Sequence, residues 1–111
     1  MAKTVSMELA GVSYEMPASY KVAKEIGQRV GDPLKMALDA EKGEIPWTLE
    51  SVIDIIWIGC KAAGCSLSRE DVGDEVMESG VAESLEKAAM LIGHIVAGGP
   101  AKPVKGNGGK K

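Results

Sequence analysis

The stretch Thr48–Gly64, TLESVIDIIWIGCKAAG, decides how this chain folds. Thr48 is a helix-capping residue type and Gly64 a helix-stopping one, so a helix running to about Ala63 is predicted between them. Leu49, Val52, Ile53, Ile56, Cys60 and Ala63 recur at helical spacing and form its main apolar face. Glu50, Asp54 and Lys61 form a narrow polar stripe with Trp57 beside it, and Ile55, Ile58 and Ala62 add a second apolar stripe. A helix apolar nearly all round is expected at the centre of a fold. In so small a domain, part of that surface is also a candidate for a partner.

On the N-terminal side, Thr4–Met16 alternates apolar and polar residues about Ala10-Gly11. A two-residue turn there pairs Leu9 with Val12, Met7 with Tyr14 and Val5 with Met16, and places all six on one face, as a β-hairpin requires. Alanine is a poor choice for the positive φ of such a turn. Pro17 closes the second strand. Ser19 then caps a helix to about Val30, with Val22, Ala23, Ile26 and Val30 inward. Asp32-Pro33 starts a short helix presenting Leu34, Ala37 and Leu38 and ending at Gly43. Glu44–Trp47 is a connector.

On the C-terminal side, Ser68 and Asp71 resemble a capping box at the head of a short acidic helix with Val72, Val76 and Met77 to bury. Gly80 separates it from a last helix, about Val81 to Ala97. That helix carries Val81, Leu85, Ala88, Leu91, Ile92, Ile95 and Val96 on one face, and Glu83, Glu86, Lys87 and His94 on the other. The expected fold is α+β: an N-terminal hairpin, about five helices over residues 1–98, and a disordered Lys/Gly/Pro tail over 99–111.

The 111 residues suffice for one domain. The formal charge of −3 divides unevenly, because the tail holds four Lys and no acid. The remaining body has nine bases against sixteen acids, close to −7. Such a body argues against nucleic-acid binding. From Glu70 to Glu86 there are seven acids and no base, a solvated face or a patch for a basic partner or the basic tail. No signal-peptide block appears, and no apolar run reaches the ~20 residues that span a bilayer, so a cytoplasmic location without membrane association is expected. Cys60 and Cys65 are then reduced. With one distant His94 they make no credible metal site. The phosphate-loop, dinucleotide, nucleophile-elbow and zincin motifs are missing, and a Cys60–His94 pair would need an inward and an outward side chain to meet. The expectation is a protein without catalytic residues or cofactors.

The order of elements resembles the tail-assembly chaperones of long-tailed phages, in particular the small family carried by gene transfer agents. The likeness rests on the strand pair around Ala10-Gly11-Val12-Ser13-Tyr14 and on a first helix with Ala23 and Glu25 near its middle. It continues in Ile58-Gly59-Cys60-Lys61-Ala62-Ala63-Gly64, in Ser68-Arg69-Glu70-Asp71-Val72, and in Gly80 before the last helix, so that it covers about Val5 to Gly98. Trp47 matches nothing in that pattern. The resemblance implies a chaperone that coats the helical tape-measure protein, helps to recruit tail-tube subunits, and is absent from the finished particle. Such work needs an apolar surface open to a partner's helix. Ile55, Trp57, Ile58 and Ala62 are the candidates, with Met77 and Met90, since Met adapts to varied surfaces. A structural component of the tail or head–tail connector is an alternative, as is a small acidic adaptor for a host factor. A homo-oligomer is left open.

Overall fold

A computed structural model of the chain describes residues 4–44 and 47–97. The tail expected to be disordered, and Ile45 and Pro46 of the connector, lie outside the described residues. The elements follow in order as β1 (Thr4–Leu9), β2 (Val12–Pro17), α1 (Tyr20–Arg29), α2 (Pro33–Glu41), α3 (Leu49–Ala62), α4 (Arg69–Ser79) and α5 (Val81–Ala97). This is the α+β plan expected, a hairpin followed by five helices.

The hairpin is antiparallel, with Leu9 opposite Val12, Met7 opposite Tyr14 and Val5 opposite Met16, as the alternation predicts. Val5, Met7, Leu9 and Met16 are buried and Tyr14 is half-buried, whereas Val12, next to the turn, is exposed. On the outer face, Thr4 and Ser6 hydroxyls donate to the Glu15 carboxylate across the strands at 2.9 and 2.5 Å. These bonds stabilise the ionised form and hold Glu15 below the usual carboxylate range. Ala10 and Gly11 both have positive φ, 52° and 80°, so the turn places a side chain in the left-handed region. Asparagine tolerates that region better than alanine. Ala10→Asn should therefore raise the unfolding free energy by about 0.5–1 kcal/mol in urea titrations. A loss of stability would show that the turn is not built this way.

Every helix start read from a capping residue is in place. Ser19, Asp32, Thr48 and Ser68 accept from the backbone N–H of Val22, Leu34, Ser51 and Asp71 at 3.3, 3.0, 3.1 and 3.1 Å. The α3 helix is central, since β2, α1, α4 and α5 all pack on it. Its side chains at Val52, Ile53, Ile55, Ile56, Ile58 and Cys60 are buried, so its nearly all-round apolarity is answered inside the fold. The stripe Glu50–Asp54–Trp57–Lys61 is left on the outside or half-buried, together with Leu49, Ser51 and Ala62 near the helix ends.

Five residues expected inward are corrected. In α2 the buried residues are Pro33 and Met36, with Ala37 half-buried, while Leu34 and Leu38 are about half exposed. This helix is apolar on more than one side, and the position of α5 decides which side is covered. Leu49, in the first turn of α3, and Val96, in the last turn of α5, are also exposed. Met77, expected to be buried by α4, points outward at 58% exposure. His94, expected on the open face of α5, is half-buried.

Candidate functional site

The α2 and α5 helices pack side by side, but small residues stand where they face each other. Ala37 and Ala40 come from α2, and Ala89 and Gly93 from α5. With no side chain larger than a methyl group at these positions, an open groove of about 360 Å³ remains. Buried Ile92 and half-buried Trp47 line it with apolar surface, and Glu41 is the charged residue on its wall. Trp47 also packs against the main core, so it ties the groove to the core.

The apolar surface continues beyond the groove. Leu34 and Leu38 are one turn apart on the α2 row that includes Glu41, and Met90 shares an α5 row with Gly93 and Ala97. Val96 lies in the groove itself. Leu34, Leu38, Met90 and Val96 are 41–53% exposed and make up half of the eight large exposed hydrophobics among the described residues. Scattered exposed apolar residues are ordinary; of these four Val96 lines the concave site, and the other three lie on the two helices that form it. Alanine and glycine walls let another backbone approach closely.

The sequence-predicted partner residues are dispersed. Ile55 and Ile58 are completely buried and are corrected to core positions; no partner can reach them without opening the fold. Trp57 is half-buried on the outer stripe of α3. The Lys61 ammonium lies 4.2 Å and the Arg29 guanidinium 4.9 Å from the centre of its ring. Glu25 binds both cations, at 2.6 Å from Lys61 and 3.6 Å from Arg29. Ala62 is exposed next to this cluster, and Met77 is exposed on α4. None of the six lines the groove; Met90, exposed on α5, follows Ala89, which does.

Farther along the same α3 stripe, Arg69 binds Asp54 at 2.5 Å and Glu50 at 2.6 Å, which pushes its guanidinium pKa still higher and keeps it charged. Cys60 and Cys65 are buried free thiols, and burial pushes Cys60 up to about 12. Such a thiol is a poor nucleophile at neutral pH. Among the described residues no group of three His, Cys, Asp or Glu could hold a metal ion, and no helix is long and apolar enough to cross a membrane.

No protein-family model, curated protein or solved structure matches this chain.

Proposed function

We propose that the chain works by binding, as a tail-assembly chaperone of the phage or gene-transfer-agent type, and that the α2–α5 groove receives an apolar helix of the tape-measure protein. The observation that carries this reading is the groove, an apolar trough walled by Ala and Gly and lined by Trp47, Ile92 and Val96, between two helices that also expose Leu34, Leu38 and Met90. A helix laid in such a trough buries its apolar face and leaves its polar face in water. The resemblance of the order of elements to the tail-assembly chaperones supports the choice of partner. The tail-tube subunit is the second partner this reading implies, recruited while the tape measure is held. An acidic body keeps a protein with an open apolar groove dispersed until the partner arrives.

Co-expression of the full chain with the tape-measure protein encoded beside it tests the proposal. The expected result is a soluble complex that forms with the native chain and fails with Ala89→Arg, which places a long cation in the groove. Position 89 is exposed, so the variant should keep its stability within about 0.5 kcal/mol. A tape-measure protein that stays insoluble with the native chain overturns the reading. Retention of the chain in purified particles would instead make it a structural tail component.

A further inference from the structure

We propose that the face carrying the outer stripe of α3 pairs with the same face of a second copy about a two-fold axis. The reasoning does not depend on the chaperone reading, because it uses a different surface and a different partner.

The stripe Glu50–Asp54–Trp57–Lys61 spans eleven residue steps, roughly 16 Å at the rise of an α-helix. Its two ends carry opposite charge. At the Lys61 end, Lys61 and Arg29 meet Glu25 of α1. Lys21 lies one turn before Glu25 on the same side of α1, and Lys24 lies next to it. Both are exposed and make no ion pair among the described residues. Four cations thus stand against one acid.

At the Glu50 end the balance is reversed. Arg69 of α4 is fully used by Glu50 and Asp54. Gly73 holds α4 against Ile53 of α3, and Met77 stands one turn farther along that row. Asp74 lies one turn before Met77, and Glu70 two turns before it, on that side of α4. Both are exposed and unpaired among the described residues. Half-buried Trp57, between Asp54 and Lys61 on the stripe, and exposed Met77 at the acidic end supply apolar contact.

A surface that is basic at one end and acidic at the other complements itself when rotated by a half turn. The Lys21–Lys24 flank of each copy then meets the Glu70–Asp74 flank of the other. This is the isologous geometry of a two-fold dimer, in which one contact is made twice. Charge complementarity selects the second copy as occupant, since the chain carries both halves of the match.

Sedimentation of the full chain over a concentration series tests this. A reversible dimer is expected, with its Kd weakened at least about tenfold when salt is raised until the Debye length falls to a few Å. Lys21→Glu/Lys24→Glu should be monomeric, and so should Glu70→Lys/Asp74→Lys. All four positions are exposed, and circular dichroism should show both variants folded. An equimolar mixture should form a heterodimer of one copy each, because all its charged contacts are then attractive. A native chain monomeric at every concentration in low salt overturns the proposal. So does self-association that survives both reversals, a mixture that stays monomeric, a native species larger than a dimer, or a dimer lost when residues 98–111 are removed.

Discussion

Replacing Ile58 with alanine should lower the unfolding free energy by about 3–4 kcal/mol, read from urea titration of the full chain. Ile58 has no exposed surface, and it sits on the helix against which β2, α1, α4 and α5 all pack. Truncation removes apolar burial and leaves a cavity among neighbours that are themselves tied to α3. The loss would be a large part of the ~5–15 kcal/mol that holds a domain together. Ile55→Ala should behave alike, since Ile55 is equally buried. Met77→Ala, on an exposed residue, should stay within about 0.5 kcal/mol. Equal small effects at all three positions would place Ile55 and Ile58 on an open surface and refute the central position of α3.

The second large effect is expected at Gly59. A β-carbon added there would lie 2.8 Å from the Met16 sulfur and 3.0 Å from Met16 Cβ and Cγ. The sulfur could swing away, but Cβ is fixed to β2, so the strand itself would have to move. Gly59 is thus where the hairpin closes onto the central helix. Alanine gains about 1 kcal/mol of helix propensity over glycine, and overpacking costs about 1–3 kcal/mol, so Gly59→Ala should be destabilising by roughly 1 kcal/mol. Gly59→Val adds two more methyl groups to the same contact and should lose about 3 kcal/mol. Combining it with Met16→Ala opens the space that the new side chain needs. The double variant should then be more stable than the two single losses predict, by about 1 kcal/mol or more. Simple additivity would mean that Gly59 and Met16 do not touch.

The legible parts of the fold are those fixed by neighbours in sequence. The hairpin register follows from the alternation on either side of Ala10-Gly11, because a one-residue slip would move Met7 and Leu9 to the solvent side. The four capped helix starts follow from a side chain and an N–H two or three residues apart. What depends on distant elements was not legible. Leu34, Met36 and Leu38 are all plausible inward residues of α2, and only the placement of α5 chooses Met36. The stripe Ile55–Ile58 looks open when α3 is drawn alone, and closes once its neighbours surround it. The Trp57 cluster joins Lys61 to Glu25, thirty-six positions apart. The groove is hardest of all to foresee, since it consists of side chains that are missing. Its trace is small residues at i, i+3 in α2 and i, i+4 in α5, a pattern that gains meaning only when the two helices are known to pack.

The most direct test of the proposed function is hydrogen exchange on the co-expressed complex with the tape-measure protein, compared with the free chain. The account predicts added protection in α2, residues 33–41, and in the second half of α5, residues 89–97, with the hairpin and α4 unchanged. Protection confined to α4 or the hairpin, with α2 and α5 exchanging as in the free chain, would contradict it.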